Sequence, residues 1–365
     1  MPNNTDVNLN ESPNINFTSD LLNWYQTHAR SLPWRATKDP YKIWVSEVML
    51  QQTRVETVIS YYHRFLEQFP TLTSLASAPE QSVLKAWEGL GYYRRARLLH
   101  QGAQSVIRDF GGNLPADPGL LLIIPGVGPY MAGALASIAF NLPSPAVDGN
   151  VIRVVTRILA WDEDASTARS LQIITQWVKE HFPPARAGDF TQSLMELGAL
   201  ICLPRNPDCR ECPVRFHCRA KDCEGGPARY PIKKAARAIP AERRVILRIT
   251  WDGRHLLSRR PETGLLAGLW EYPNLLVKHG EDALDLARCW TRKQFGKILE
   301  FQPLTTMNQV FSHRRWDLEI WDTWWPETEA PKIPPNSGWF LPDEEKQLPR
   351  VAFVRTLEPG EFTGK

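Results

Sequence analysis

Four of the six cysteines fall in one short stretch, Cys202-x6-Cys209-x2-Cys212-x5-Cys218, close enough for their thiolates to converge on one inorganic centre. Pro204, Pro207 and Pro213 stiffen the loop between them. Three chemistries are open to such a set: zinc, disulfides or a [4Fe–4S] cluster. Disulfides belong to oxidising compartments, and zinc usually takes paired knuckles separated by a longer spacer. One compact loop closing all four ligands favours the iron–sulfur cube. Cys223 and Cys289 read as ordinary free thiols. Nine basic and four acidic side chains lie between Arg205 and Arg237, so this loop and its sequel carry a local charge of +5. That suits a polyphosphate backbone, although a solvated surface would look much the same.

Two carboxyls stand out for a different reason. Glu47 sits in an apolar helical stretch, with Ile43, Trp44 and Leu50 on its face. A carboxyl buried there has its pKa raised and can act as a general acid near neutral pH. Asp148 precedes Gly149-Asn150 and a helix, where an aspartate caps the helix and is expected to stay ionised by accepting backbone N–H bonds. One neutral and one anionic carboxyl is the pairing that glycosidic cleavage uses. Asp117-Pro118 opens a short helix, Pro125-Gly126-Val127-Gly128 turns the chain, and Pro129 starts the next helix. Gly126 and Gly128 in such a helix–hairpin–helix leave backbone amides clear of Cβ atoms and able to face a phosphate.

These residues need a scaffold, and the chain is long enough for about two domains at 365 residues and 43% hydrophobic content. A net charge of +3 excludes a polybasic tail protein and little else. No apolar run reaches the length of a membrane span. The N-terminal residues lack signal or transit character, so no targeting signal, a cytoplasmic, nucleoid-associated location and no membrane association are expected. From Phe17 to about Arg219 apolar spacing and Pro/Gly breaks predict helices over 21–29, 42–53, 55–68, 82–90, 94–110, 118–124, 129–140, 150–159, 168–179 and 190–202. A Gly- and Pro-rich stretch follows, and then the period changes. Val245, Leu247, Ile249 and Trp251 alternate with other residues, Asp252-Gly253 signals a hairpin, 283–295 reads helical and 316–325 alternates again. The fold class is thus a mainly α N-terminal part followed by an α+β domain.

The order of Leu32-Pro33-Trp34-Arg35, Ser46-Glu47-Val48-Met49-Leu50-Gln51-Gln52-Thr53, Gly89-Leu90-Gly91-Tyr92-Tyr93, Pro125-Gly126-Val127-Gly128, Val147-Asp148-Gly149-Asn150-Val151 and the four cysteines closely resembles the MutY-type adenine DNA glycosylases of the helix–hairpin–helix superfamily. The resemblance runs from about Phe17 into the C-terminal domain. It implies a six-helix barrel with the helix–hairpin–helix, a second helical lobe holding a [4Fe–4S] cluster, and double-stranded DNA containing 8-oxoguanine:adenine mispairs as partner of a monomer. It implies excision of the mispaired adenine in base excision repair after flipping it from the stack. By motif, Glu47 would protonate adenine and help place the water, Asp148 would stabilise the cationic sugar, and Tyr130 and Asn150 would support them. Gln52 and Tyr92 would wedge into the duplex, and Arg35 would line the adenine pocket. Cys202, Cys209, Cys212 and Cys218 would ligate the cluster. Endonuclease III relatives carry a Schiff-base lysine where this chain has Tyr130, which implies a monofunctional glycosylase. The sequence departs from the commoner pattern at Pro129 and Met131, and Pro129 removes one hairpin amide.

Gly264-Leu265-Leu266-Ala267-Gly268-Leu269-Trp270-Glu271-Tyr272-Pro273 resembles the family's Nudix-like 8-oxoguanine recognition domain. The metal-binding helix of a Nudix hydrolase does not follow; Glu281, Asp282 and Asp285 are misplaced for it, so pyrophosphatase activity is not expected. Phe311-Ser312-His313 matches the lesion-reading loop, where Phe311 would stack beside 8-oxoguanine, Ser312 would hydrogen-bond its altered edge and His313 would contact base or backbone. The domains expected are a disordered tail 1–16, a catalytic domain 17–223 with its cluster loop 202–218, a linker 224–242, a recognition domain 243–357 and a tail 358–365. Two other readings stand beside this one: an endonuclease III-like glycosylase/lyase, and a non-enzymatic iron–sulfur DNA-binding module.

Overall fold

The structure is a computed structural model that describes residues 15–233 and 239–357. The expected tails up to Asn14 and after Leu357, and Lys234 and Arg237 of the basic segment, lie outside the described residues. The chain forms two compact units, one of residues 1–77 and 98–235, the other of residues 78–97 and 236–365. The units therefore do not follow the chain contiguously. No described helix is long and apolar enough to cross a membrane.

Up to Leu200 the α-helices are α1 (Ile15–His28), α2 (Pro40–Leu50), α3 (Val55–Gln68), α4 (Leu72–Ser77), α5 (Glu80–Ala86), α6 (Arg94–Phe110), α7 (Pro118–Leu121), α8 (Pro129–Ala134), α9 (Gly149–Leu159), α10 (Ala168–Glu180) and α11 (Ala187–Leu200). Local chemistry sets the ends of the two that matter most. Asp39 caps α2 by accepting from the Tyr41 N–H, and Pro40 occupies the first turn, where a missing N–H costs nothing. Asp148 caps α9 by accepting from the Val151 N–H, and α9 stops at Ala160 in the left-handed region. After Ala134 the helix widens into a π-turn over Leu135–Ala139 instead of running as one α-helix to Phe140. Phe17, Leu21, Val151, Val155, Ile174, Phe190 and Leu194 pack into one core, and Cys202 and Cys212 lie against it. Residues 224–232, expected as linker, are partly packed: Tyr230 is buried, its carbonyl accepts from Arg157, and Ile232 accepts from Ala165.

The second unit is built on a mixed sheet of β1 (Ala241–Trp251), β2 (Arg254–Arg259), β3 (Trp270–Glu271), β4 (Asn274–Leu276), β5 (Gln302–Val310), β6 (Arg315–Trp324) and β7 (Ser337–Phe340). Its main order is β3-β2-β1-β6-β5, with β4 beside β1 and β7 beside β2. Asp252 and Gly253, both at positive φ, close the β1–β2 hairpin, as a primed two-residue turn requires. β1 and β6 run parallel, with Glu242 opposite Trp316. α12 (Ala283–Phe295), capped by Asp282 and ended by Gly296, contributes Ala283 and Ala287 to a core shared with Val245, Leu247, Ile249 and Leu256. Two short helices, α13 (Pro342–Glu345) and α14 (Ala352–Thr356), complete this part. The segment 78–97 is fastened to it by polar contacts. Trp270 Nε1 donates to Gln81 Oε1 at 3.1 Å, Lys85 Nζ to the Leu348 carbonyl at 3.2 Å, and Arg97 is paired with both Glu80 and Glu262.

Candidate active site

A cavity of about 550 Å3 opens between α2, α8, α9 and α11 in the first unit. Glu47, Tyr130, Asp148, Asn150, Arg35 and Gln52 all line it, so residues spread over more than a hundred positions of sequence are brought together. Glu47, on the apolar face of α2, is only 6% exposed. The Tyr130 hydroxyl donates to its Oε2 at 2.5 Å. Burial pushes the Glu47 pKa up to about 7; the Tyr130 hydrogen bond opposes this, the Asp148 charge adds to it, and Arg35 opposes it weakly. The Tyr130 phenol is itself raised well above its ordinary value by burial and by the two neighbouring carboxylates, so it stays a proton donor.

Asp148 uses both oxygens. Oδ1 accepts from the Val151 N–H at 2.7 Å and Oδ2 from Asn150 Nδ2 at 2.9 Å. The expectation that these bonds would dominate its titration needs correction. Burial is the larger influence and raises the Asp148 pKa above its ordinary value, with the hydrogen bonds only moderating the rise. The two carboxyls are therefore set apart by degree of burial and by hydrogen-bond number, not by opposite shifts. Asn150 is held in turn by Arg153, whose Nη2 donates to Asn150 Oδ1 at 2.8 Å and to the Gly198 carbonyl at 2.7 Å, while Nε donates to the Cys202 carbonyl at 2.8 Å. Gly198 is required here: a Cβ would stand 2.6 Å from Asn150 Cβ, so only glycine lets α11 approach α9 this closely.

That approach delivers Glu196, which the sequence reading did not single out. It is 1% exposed and forms forked pairs with Arg30 (2.9 and 2.7 Å) and Arg35 (2.9 and 2.8 Å). Burial alone would raise this carboxyl, but the hydrogen bonds from Arg35 and from the side chain and backbone of Arg30 hold it down at about 2. The available signal was a charged residue inside the apolar run of α11, the same signal that marked Glu47.

Gln52 and Tyr92 are exposed, and both have positive φ (59° and 49°), an uncommon conformation for such residues. Arg95 braces Tyr92, with its guanidinium 5.6 Å from the ring centroid and bonds to the Leu90 and Gly91 carbonyls. Gly126 (φ 82°) sits against Leu98, where a Cβ would approach Leu98 Cβ at 2.7 Å. The Val127 N–H turns inward to Ile124, and Gly128 caps α8 with open space where its Cβ would be. In the second unit Phe311 is half-buried, Ser312 and His313 are exposed, and the Tyr92 and Ser312 hydroxyls are 3.0 Å apart.

Cys202, Cys209 and Cys218 lie near Arg157, a buried arginine that donates to Cys202 Sγ at 3.2 Å and to the Leu203 and Pro204 carbonyls. Its own carbonyl accepts from Cys218 Sγ at 3.4 Å. Cys209, Cys212 and Cys218 are raised by burial, Cys212 to about 12, and each is pushed further by the charge of the neighbouring cysteines. Among the described residues no three Cys, His, Asp or Glu side chains gather tightly enough to hold a single ion.

Comparisons with known proteins give the family. Residues 45–180 match the model of the HhH-GPD superfamily of base excision DNA repair proteins, and residues 244–357 match a NUDIX domain. The chain is 34% identical to an adenine DNA glycosylase of Mus musculus, over 90% of this chain and 74% of that one. It is 33% identical to an adenine DNA glycosylase of Buchnera aphidicola subsp. Baizongia pistaciae, over 81% and 83%. A thermostable thymine-DNA glycosylase of known structure superposes with a TM-score of 0.53 at 30% identity, covering 57% of this chain and 96% of its own.

Proposed function

This chain belongs to the adenine DNA glycosylase family and removes adenine from DNA in base excision repair; we propose that its adenine is the one mispaired with 8-oxoguanine or guanine, and that the 550 Å3 cavity receives it after flipping. The observation that carries the reading is a buried Glu47 carboxyl near pKa 7, gripped by Tyr130 in a cavity that Asp148 also lines. Glu47 is half protonated near neutrality and donates to the adenine ring, which makes the base a better leaving group. Positive charge then builds on the sugar, and Asp148, held by Val151 and Asn150, faces it as an anion. After proton transfer Glu47 can orient the attacking water. Arg35 and Glu196 form a rigid polar wall for the base, because each fixes the other.

Tyr130 bears on the outcome as well. A phenol cannot form a Schiff base with the opened sugar, so the abasic product is released without strand cleavage. Gln52 and Tyr92, in their left-handed backbone conformations, act as wedges, and the turn binds phosphate through the Gly126 and Gly128 amides, the Val127 N–H being taken by Ile124. Cys202, Cys209, Cys212 and Cys218 would hold a [4Fe–4S] cluster, whose ligands need not converge on a single ion as those of zinc do. The donor set fits such a group: four thiols share one loop, and the buried Arg157 cation at Cys202 offsets negative charge. A bound cluster supplies a cross-link that fixes the loop, and Arg153 ties that loop to Asn150 through the Cys202 carbonyl.

The test is a duplex carrying adenine opposite 8-oxoguanine, guanine or thymine, scored for base loss with and without alkali and for borohydride-trapped adduct. Adenine loss opposite 8-oxoguanine, strand breakage only after alkali and no trapped adduct are expected. Alkali-independent cleavage with a trapped adduct would show a lyase instead.

A further inference from the structure

The loop 311–314 is short and its outer residues are exposed, so its shape must be set from beneath. Its ends are joined by one backbone bond, from the Phe311 N–H to the Arg314 carbonyl at 2.8 Å. Each end is also anchored by a side chain. The Phe311 ring packs edge-on against Trp316 at a centroid distance of 4.9 Å. Arg314 donates through Nη1 to Glu242 Oε1 at 2.7 Å. Trp316 leads to the same carboxylate: its indole N–H donates to Glu242 Oε2 at 3.0 Å.

Trp316 is 1% exposed. The guanidinium of Arg244 lies 4.3 Å and that of Arg260 5.3 Å from its ring centroid, a cation–π arrangement in a dry setting. Both arginines are tied down. Arg244 donates to Glu242 Oε2 at 2.9 Å and to Asn274 Oδ1 at 3.1 Å, Asn274 donates to Glu271 Oε2 at 3.0 Å, and Arg260 pairs with Glu271. The Arg314 Nε is buried with no hydrogen-bond partner among the described residues, so the side-chain grip on the loop's end passes through Nη1 and Glu242.

We propose that Glu242 is a positioning residue: it clamps Arg314 and Trp316 together and so holds Phe311 and Ser312 in the geometry that distinguishes 8-oxoguanine from guanine. This rests on the proposed excision opposite 8-oxoguanine and on reading 311–313 as the lesion-contacting loop, as the family resemblance implies. The Glu242–Trp316 pair lies side by side on β1 and β6, so the rigidity of the sheet is transmitted directly to the loop.

The experiment uses the whole protein in two variants, Glu242→Gln and Arg314→Ala, the second leaving Arg244 paired. Hydrogen–deuterium exchange without DNA reads the Phe311 amide, and single-turnover excision on adenine opposite 8-oxoguanine and opposite guanine reads the preference. Faster exchange over 309–316 is expected in both variants. Preference for 8-oxoguanine is expected to fall about fivefold, roughly what one lost hydrogen bond gives, with the rate opposite guanine unchanged. Unchanged exchange overturns the clamp. Faster exchange with full preference, or equal loss on both substrates, overturns its role in discrimination. Phe311→Ala with Ser312→Ala is the control: if it leaves the preference intact, the lesion assignment fails, while exchange still decides whether Glu242 holds the loop.

Discussion

Glu47 and Ser312 are both proposed to meet a nucleobase, and the structure treats them in opposite ways. Glu47 has 6% of its surface open, has a phenol at 2.5 Å and has its pKa moved to about 7. Ser312 stands in solvent, its hydroxyl 3.0 Å from that of Tyr92. A proton donor must have its acidity tuned, and for Glu47 desolvation by burial is the largest cause of the rise. A reader of base edges needs no tuning, but it must stay accessible and hold its shape, which the sheet beneath it provides. Energies concentrate in the first region and are spread thinly in the second, and mutations should expose that contrast.

The largest effect is expected from Glu47→Gln. Loss of the acid lowers single-turnover excision on the order of 10²- to 10⁴-fold, while mispair affinity measured by fluorescence anisotropy persists. The same variant reports the burial energy. A carboxyl whose pKa rises from 4.5 to about 7 on folding binds its proton more tightly in the folded state. Its contribution to stability is complete below pH 4.5 and is lost as pH rises through 7, by about 3 kcal/mol. Denaturant titration should therefore find Glu47→Gln gaining stability relative to the parent between pH 5 and pH 8. A parallel pH dependence would mean that Glu47 is not buried in its charged form.

Next in size is Glu196→Ala, which leaves Arg30 and Arg35 facing each other beside the cavity without their carboxylate. Removing one partner of a buried pair costs about 3 kcal/mol, read as a fall of several degrees in Tm. Excision should drop as well, because Arg35 loses its position. A stable variant with normal excision would remove Glu196 from the account. Phe311→Ala with Ser312→Ala is smaller, about 1 kcal/mol of lost recognition, seen as an eroded preference for 8-oxoguanine over guanine in competition assays. The smallest is Tyr92→Phe. It deletes one exposed hydroxyl contact and keeps the wedge, so affinity should weaken about twofold, less than a typical hydrogen bond is worth.

How far the sequence reached differs between the same two regions. Local signals set the helices α3, α6 and α12 to the residue, because apolar spacing, Asp282 and Gly296 are read within one or two turns. They overran α2, which ends at Leu50 so that Gln52 can take φ 59°. They missed α4, six residues long, too short to show a period. In the site, Glu47 was legible because a carboxyl in an apolar run stands out. Glu196 carries the same signal, but not its role, which comes from Arg30 and Arg35 more than 160 positions away. Asp148 was read as a cap, correctly, but sequence shows bonds near in the chain more readily than burial by distant helices, and burial won. Glu242 and Trp316 could not be paired from sequence at all, because parallel strand register is set by the folded sheet.

The central claim is that a buried Glu47, near pKa 7, supplies the proton that releases adenine. The most direct measurement is the single-turnover rate of adenine loss opposite 8-oxoguanine, with saturating protein, from pH 5.5 to 9. The acid must be protonated, so the rate should hold below about pH 7 and then fall towards tenfold per unit as Glu47 ionises. A rate that stays level to pH 9, or that rises with pH, would contradict the account.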